Sequence, residues 1–300
     1  MKSRFSLDDK AIKQFQDKIF TWYKDHQRDL PWHKTRDPYS ILVSEVMSQQ
    51  TQLGRVIPKY EAWMKRFPTI NQLADASTRE VLQYWSGLGY NSRALNLQKT
   101  ARIIVREFGG EFPQEIKELV ELPGIGKYTA AAVACFAFDA QIPVVDTNIR
   151  KVILTQFICH CEESRKTTKQ PHEKDCHVIS LQENQLAMTE KEIEEIAWQI
   201  LPVGRAYEWN QALMDYSSLV LKQIKIPVPK QSHFLSSDRY FRGQTIKLLI
   251  GKKSMTIDEL WRYFDTKNPI LRDRLEKILN TMQKDGLLHM AGESISLPLD

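Results

Sequence analysis

The 300-residue sequence has few cysteines, no long apolar run and no strong excess of either charge. Four cysteines in a chain of this length argue against a disulfide framework and indicate a reducing compartment. No apolar run approaches the roughly 20 residues that span a bilayer. The N-terminus, MKSRFSLDDK, lacks the apolar segment of a signal peptide. We therefore expect a cytoplasmic, monomeric protein with no membrane contact.

The charge balance is mildly basic. The chain has 42 Lys and Arg residues against 37 Asp and Glu residues, which gives a net charge of +5. This excess favours polyanionic partners without requiring one. A hydrophobic content of 42% is enough to bury one large core or two modest ones.

The most informative stretch runs from Gln114 to Leu154. Acidic and apolar residues alternate at helical spacing over 115–121, and the sequence LPGIG at 122–126 ends that helix. Glycines can adopt positive φ, so we expect Gly124 and Gly126 to reverse the chain. A second, alanine-rich helix is predicted from Lys127 to Phe138. A glycine turn that leads into a helix N-terminus presents backbone N–H groups to a phosphate.

A carboxylate follows this second helix. The sequence VVDTN at 144–148 places Asp146 where a helix N-cap is expected. Taken alone, an aspartate before a helix is usually only a cap.

The ordered motifs LPGIGKYTA and PVVD resemble the helix–hairpin–helix of the base-excision DNA glycosylase superfamily, which includes endonuclease III. The resemblance implies that the hairpin at 114–138 grips the DNA backbone, with Gly124, Gly126 and Lys127 as contacts. It also implies a catalytic role for Asp146. Bifunctional members carry a nucleophilic lysine at the position of Tyr128, so the likeness predicts a monofunctional, hydrolytic enzyme with Tyr128 beside the sugar.

A second carboxylate lies on the helix predicted over 39–52, YSILVSEVMSQQTQ. Glu45 can be an ordinary residue at the border of the solvated face. In an apolar pocket it would instead have a raised pKa and act as a general acid. The residues alone favour the first interpretation.

Several motifs favour the general-acid interpretation of Glu45, because they resemble MutY-type adenine DNA glycosylases over roughly residues 15–220. They are LPW at 30–32, RDPY at 36–39, SEVM followed by QQTQ at 44–52, WSGLGYNSRALNL at 85–97 and WNQALMDYS at 209–217. The family removes adenine mispaired with 8-oxoguanine, and its catalytic acid corresponds to Glu45.

The same resemblance implies the remaining site residues. The base pocket is expected to contain Arg28, Leu30, Trp32 and Gln211. Further DNA contacts are expected from Gln49, Gln50, Tyr90 and Arg93, since an aromatic and an arginine beside a glycine turn suit base stacking and phosphate binding. Packing of Tyr90 in the core is the simpler alternative for that residue.

The chain departs from the family in three ways. No cysteine follows Cys176, so we expect no iron–sulfur cluster, which needs cysteine thiolates. Ser48 and Asn91 replace a typical leucine and a second tyrosine, which could alter base extrusion. We expect no counterpart of the family's 8-oxoguanine-reading domain, because residues 239–300 instead predict three helices and a hairpin, the pattern of a winged helix.

The insertion at 158–188 contains Cys159, Cys161 and Cys176, with histidines between them. Thiolate and imidazole ligands could bind zinc. The spacing does not match common zinc motifs, so we predict a polar surface loop and no bound metal.

The predicted fold is mainly α, with an HhH-GPD glycosylase domain at 1–230 and a winged-helix-like α/β module at 231–300. The predicted function is base excision repair of double-stranded DNA, with adenine removed opposite 8-oxoguanine or guanine. A glycosylase for T:G or U:G mismatches and a bifunctional lyase remain open on the same fold. A non-catalytic DNA-binding repair scaffold is the alternative from another functional class.

Overall fold

The computed structural model describes residues 7–158, 188–224, 233–267 and 270–298. The chain divides into two compact units. The Asp146 unit comprises Met1–Arg36 and Lys127–Pro229, and the Glu45 unit comprises Asp37–Gly126 and Lys230–Asp300. Each unit thus carries one of the two carboxylates that the sequence motifs single out.

Helices dominate the described residues and are numbered in chain order. They are α1 (Asp9–His26), α2 (Pro38–Ser48), α3 (Leu53–Arg66), α4 (Ile70–Asp75), α5 (Thr78–Trp85), α6 (Ser92–Glu107), α7 (Ile116–Glu121), α8 (Lys127–Phe138), α9 (Thr147–Ile153), α10 (Glu190–Gln199), α11 (Ala206–Leu219), α12 (Asp238–Gly251), α13 (Ile257–Lys267) and α14 (Arg272–Lys284). Short 3₁₀ turns occupy Pro31–Lys34 and Phe234–Ser236, and a π-turn at Leu154–Ile158 continues α9. The strands are β1 (Ser254–Thr256), β2 (His289–Ala291) and β3 (Ser294–Ser296).

The Asp146 unit is built around α11, which packs against α1, α8 and α9. Trp209 of α11 is almost fully buried, and its ring meets Phe15 and Phe20 of α1 edge-on or tilted at centroid distances of 5.6 and 5.3 Å. Such aromatic contacts add about 0.5–1.5 kcal/mol to the area they bury. The core therefore fixes α11 as the platform for this unit.

The Glu45 unit buries Trp63, Phe67 and Trp85 in one aromatic cluster. Tyr39, at the start of α2, donates a hydrogen bond to the Phe67 carbonyl at 2.8 Å and accepts one from Trp63 Nε1 at 3.1 Å. Buried tyrosine and tryptophan polar groups need such partners. These bonds anchor the N-terminal end of the helix that carries Glu45.

The C-terminal module follows the order α12–β1–α13–α14–β2–β3. Its antiparallel sheet has the strand order β1-β3-β2, with the buried Ile295 opposite both Met255 and Met290. Arg79 of α5 donates to the carbonyls of Leu249, Ile250 and Lys252 at the end of α12, so its cation satisfies acceptors that a helix C-terminus leaves open.

The mainly α architecture with a small C-terminal sheet confirms the predicted fold class. Three local predictions were wrong. The helix that contains Glu45 ends at Ser48, whereas we expected it to continue to residue 52. Gly124 has a φ of +77°, whereas Gly126 is not among the residues with positive φ. The module also has the third strand, β1, which sequence patterns did not reveal.

Residues 159–187 of the insertion, which include Cys159, Cys161 and Cys176, lie outside the described residues. The predicted domain boundary near residue 230 stays a prediction. In the part of the chain that the structure describes, no helix is both long and apolar enough to cross a membrane.

Candidate functional site

Asp146 is the N-cap of α9, as its position in the sequence predicted. Its Oδ1 accepts a hydrogen bond from Ile149 N at 2.7 Å, and its Oδ2 accepts one from Asn148 Nδ2 at 2.7 Å. Charge-assisted bonds of this length are stronger than neutral ones. The carboxylate is therefore held in one orientation by neighbours within three residues.

Burial raises the pKa of Asp146 above its ordinary value, because desolvation disfavours the charged form. The hydrogen bonds from Ile149 and Asn148 oppose that shift but do not cancel it. The result is a half-buried carboxyl group that resists ionisation. Perturbed carboxyl groups of this kind are common at functional sites.

Two polar side chains of α11 hold the segment around Asp146. Asn210 accepts a hydrogen bond from Val144 N at 2.8 Å and donates one to the Ile142 carbonyl at 3.0 Å. Ser217 donates to Asn148 Oδ1 at 3.3 Å. Asn210 is 1% exposed, so its amide is committed to this backbone. Sequence reasoning missed both roles, although polar residues inside the apolar helix WNQALMDYS were a signal.

The predicted base-pocket residues in this unit include a buried ion pair. Arg28 Nε donates to Asp215 Oδ1 at 2.6 Å, and the Arg28 backbone N–H donates to Oδ2 at 2.9 Å. The Asp215 side chain is fully buried, and the Arg28 side chain is 20% exposed. Within the described residues, the two terminal amino groups of Arg28 make no hydrogen bond. They are donors that a bound base could use.

His33 joins the same network, and sequence reasoning did not single it out. Its Nδ1 lies 3.1 Å from the Arg28 carbonyl, so Nδ1 carries the proton because a carbonyl can only accept. Burial lowers the pKa of His33, while Asp215 and a hydrogen bond with the Gln211 side chain raise it. Leu30, Trp32 and Gln211 are all buried.

Tyr128 and Lys127 begin α8. Tyr128 is half-buried and Lys127 is exposed. Cys135, further along the same helix, is buried, and desolvation raises its pKa to about 12. A thiol held in its neutral form acts only as a packing group. The polar side chains of α8 that remain available for chemistry are therefore those of its first turn, Lys127 and Tyr128.

Glu45 is half-buried in the last turns of α2, between the buried residues Ser44 and Val46. Eight of the eleven residues of this helix are buried, and six of these are apolar, which places the carboxylate at the edge of a desolvated surface. Gln49 and Gln50 follow the end of α2. Gln50 has a φ of 53°, a left-handed conformation that non-glycine residues rarely adopt.

Arg93 holds the end of α2. Its Nη1 donates to the carbonyls of Val46 and Gln49 at 2.6 and 2.7 Å. Its Nη2 donates to the carbonyls of Leu88 and Gly89, both at 3.2 Å. Burial lowers the pKa of Arg93 to about 10. The guanidinium thus ties the loop after Glu45 to the glycine turn before Tyr90, and its predicted phosphate contact stays a prediction.

The glycine turn contains Gly87 and Gly89, both with positive φ. Tyr90 follows Gly89 directly and precedes α6. It has a φ of 47° and is 39% exposed, so it does not pack in the core. Left-handed backbone at a non-glycine residue costs about 1–2 kcal/mol. Strain of this kind persists where surrounding contacts impose it, often at functional sites. Gln50 and Tyr90, both predicted to contact DNA, share this feature.

The hairpin turn rests on α6. Thr100 Oγ1 donates to the Pro123 carbonyl at 2.9 Å, and a Cβ atom at Gly124 would lie 2.8 Å from Asn96 Cβ. Gly124 is therefore required both by its positive φ and by this close approach. Gly124 and Gly126 are exposed, and within the described residues neither uses its N–H in a backbone hydrogen bond.

Arg93, Asn96 and Thr100 recur at helical spacing and line one pocket with Gln49 and Gly124. Its cavity volume of about 30 Å³ has room for only a few water molecules and is far too small for a nucleobase. This face of α6 thus supports two predicted DNA-contacting segments and is not itself the base pocket.

Residues 43–177 match the model of the HhH-GPD superfamily base excision DNA repair protein. The chain is 35% identical over 211 residues to an adenine DNA glycosylase of Buchnera aphidicola, covering 69% of this chain and 52% of the relative. It is 47% identical over 136 residues to the adenine DNA glycosylase of Mycobacterium tuberculosis, covering 45% of each. The chain thus spans about half the length of these relatives.

Among solved structures, the chain is similar to a thermostable thymine-DNA glycosylase, with 29% identity and a TM-score of 0.56. The match covers 74% of this chain and 90% of the other. Both the relatives and this structure carry names of base-removing enzymes.

Proposed function

We propose that this chain, which belongs to the HhH-GPD superfamily of base excision DNA repair proteins, is a monofunctional DNA glycosylase that removes adenine mispaired with 8-oxoguanine or guanine. The observation that carries the proposal is Glu45, a half-buried carboxylate on the apolar helix α2. In its protonated form, this group can supply the proton that adenine needs as a leaving group.

The target adenine must first leave the duplex, at a cost of a few kcal/mol. The glycine hairpin would bind the DNA backbone through the N–H groups of the exposed residues Gly124 and Gly126. Tyr90 and the glutamines after α2 would contact the distorted duplex, where exposed aromatic rings stack on bases. The strained backbones of Gln50 and Tyr90 are already set before DNA arrives, which reduces the ordering cost of binding.

Glu45 would donate a proton to a ring nitrogen of the extruded adenine. Protonation makes the base a better leaving group, and the glycosidic bond then breaks through an oxocarbenium-like state. The bonding electrons leave with the base, and water supplies the hydroxyl group that the sugar gains. The remaining proton of that water passes to solvent, from which Glu45 regains the proton it gave to adenine. Arg28 and Gln211 would orient the base through donors and acceptors that α11 and Asp215 hold in place.

Asp146 would act in its ionised form and stabilise the positive charge that develops on the sugar. Its carboxylate needs no rearrangement to do so, because Ile149 and Asn148 already fix both oxygens. Tyr128, in place of a nucleophilic lysine, would leave hydrolysis as the only outcome. No Schiff base can form at a tyrosine.

We also propose that the reaction uses no iron–sulfur cluster. Cluster ligation needs cysteine thiolates, and residues 177–300 contain none. Residues 177–300 therefore supply no thiolate ligand for such a cluster. Iron and sulfide analysis of the purified protein should give less than one equivalent of either per chain.

The test is single-turnover base release from matched duplexes that carry A:8-oxoG, A:G, T:G or U:G, each followed by alkali to cleave the abasic product. We expect the fastest release of adenine opposite 8-oxoguanine, and no strand cleavage before alkali. Release of thymine or uracil instead would favour the mismatch glycosylase, the activity named for the similar solved structure. Tight binding with no release from any duplex would favour a repair scaffold.

A further inference from the structure

Tyr90 is contacted from two parts of the Glu45 unit. On one side, the Arg93 guanidinium carbon lies 5.6 Å from the centroid of the tyrosine ring. On the other, the Arg239 guanidinium carbon lies 5.7 Å from the same centroid. Arg239 Nη1 also donates a hydrogen bond to Tyr90 Oη at 2.9 Å. The exposed ring is therefore held by two cations and at its hydroxyl group.

Arg239 belongs to α12, the first helix of the C-terminal module, and lies 149 residues from Tyr90 along the chain. The module is fixed independently against the rest of this unit, because Arg79 of α5 binds three carbonyls at the other end of α12. α12 is thus anchored at its C-terminal end, and Arg239 near its N-terminal end lies beside Tyr90. This contact needs both the glycine turn and the module.

We propose that Arg239 is a positioning residue for Tyr90 and that, through it, the C-terminal module takes part in DNA recognition; this rests on the proposed function. The backbone of Tyr90 is strained at a φ of 47°, so the ring needs contacts that hold it. A ring already oriented for stacking stabilises the extruded state without a further ordering cost. Removal of the hydrogen bond lets the ring turn and slows base extrusion.

The competing explanation is that Arg239 binds a DNA phosphate directly. The two roles differ in salt dependence. Removing a residue that neutralises one phosphate lowers the slope of log Kd against log salt by about one. Removing a positioning residue leaves that slope unchanged, because the number of neutralised phosphates stays the same.

The experiment uses the full-length chain with the variants Arg239→Ala, Tyr90→Phe and the double variant. Tyr90→Phe keeps the ring and removes only the hydroxyl group that accepts the bond. Lys247→Ala is the control, because Lys247 is an exposed cation of the same helix. Arg239→Lys tests rescue, since a lysine can still donate to the hydroxyl group. Thermal unfolding of every variant checks that the module remains folded.

We expect Arg239→Ala and Tyr90→Phe each to slow single-turnover base release by roughly three- to tenfold, the range for one partly exposed charged hydrogen bond. The double variant should be no slower than Arg239→Ala, because that variant already lacks the hydrogen bond that Tyr90→Phe removes. The salt slope should not change, Arg239→Lys should recover part of the rate, and Lys247→Ala should match the unmodified chain.

Additive losses, a salt slope that falls by about one, or full activity of Arg239→Ala would each overturn the proposal. The failure of the proposed function has a different signature, in which the unmodified chain releases no base from any duplex. In that case the same variants are compared by their affinity for a duplex with an abasic-site analogue. Coupled losses of affinity at Tyr90 and Arg239 would still support the positioning role, and independent losses would overturn it.

Discussion

The two carboxylates of the proposed reaction are held in different ways. Asp146 is fixed by residues at most three positions away, Ile149 and Asn148, with Ser217 as a distant support. The helix of Glu45 is fixed at its end by Arg93, 44 and 47 residues away from the carbonyls it binds. One group is set by its immediate neighbours, and the other depends on the packing of α6 against α2.

This difference predicts that substitutions around the two carboxylates have different effects on the protein. Contacts around Asp146 act on its charge, so changes there should move the pH dependence of the reaction while the fold survives. Contacts around Glu45 act on the backbone, so changes there should disturb geometry, stability and activity together. Substitutions at the two carboxylates and at their supporting residues separate these effects.

Glu45→Gln should have the largest effect on activity. Glutamine has nearly the same shape and cannot donate a proton to adenine, so base release should fall by about 10²–10⁴-fold. Affinity for the duplex should be almost unchanged, as measured by fluorescence anisotropy beside the single-turnover assay. Glu61→Gln, an exposed residue of α3, is the matched control and should retain full activity. Normal base release by Glu45→Gln would contradict the assignment of the acid.

Asp146→Asn should come next, with a loss of about 10²–10³-fold if the charge stabilises the developing sugar cation. Asparagine is as good an N-cap as aspartate, so α9 should persist. Helix content by circular dichroism should match that of the unmodified chain. Activity within tenfold of the unmodified chain would mean that another group stabilises the cation.

The same variant should not lower the free energy of unfolding at neutral pH. The unfolded chain ionises Asp146 near an ordinary pKa of about 3.9, whereas burial raises the folded pKa above that value. Between the two pKa values the folded state binds more protons, so this residue costs stability as the pH rises through that window. Urea unfolding at pH 7 should give Asp146→Asn a midpoint equal to or above that of the unmodified chain. A clearly lower midpoint would show that the hydrogen bonds outweigh the desolvation.

What could be predicted from the sequence follows the same division. The Asp146 cap, the start of α8 and the positive φ of Gly124 depend on patterns within a few residues, and all three are present. The hydrogen bonds of Arg93 to backbone carbonyls were not predicted, because every residue has a carbonyl and the sequence gives no sign of which one is bound; its phosphate contact stays a prediction. Asp215 was missed because its partner, Arg28, is 187 residues away. Polar contacts between residues far apart in the chain could therefore not be predicted from the sequence.

Arg93→Ala should reduce stability and activity together. It leaves several carbonyls near the ends of α2 and the glycine turn without donors, which should cost about 2 kcal/mol or more. Base release should slow by roughly tenfold or more as the loops around Glu45 relax. Urea unfolding and the single-turnover assay measure the two effects.

Two further variants make the Arg93 result specific. Arg106→Ala removes an exposed arginine from the same helix and should change neither quantity. Arg93→Lys keeps the charge but cannot serve both sets of carbonyls, so it should lie between Arg93→Ala and the unmodified chain. A salt slope lowered by about one with normal stability would instead support the phosphate contact.

Asn148→Ala should have the smallest effect, confined to pH dependence. Asp146 must be ionised to act, so base release should fall on the acid side as the pH drops through its raised pKa. The hydrogen bond from Asn148 lowers that pKa, and its removal should move the acid limb of the rate profile to higher pH. At pH values well above the limb the rate should change little, because α9 keeps its cap through Ile149 N. Rates measured across the acid limb and into the neutral range distinguish the outcomes. A uniform loss at every pH would show that Asn148 positions Asp146 rather than tuning its charge, which would make the two carboxylates more alike than their contacts indicate.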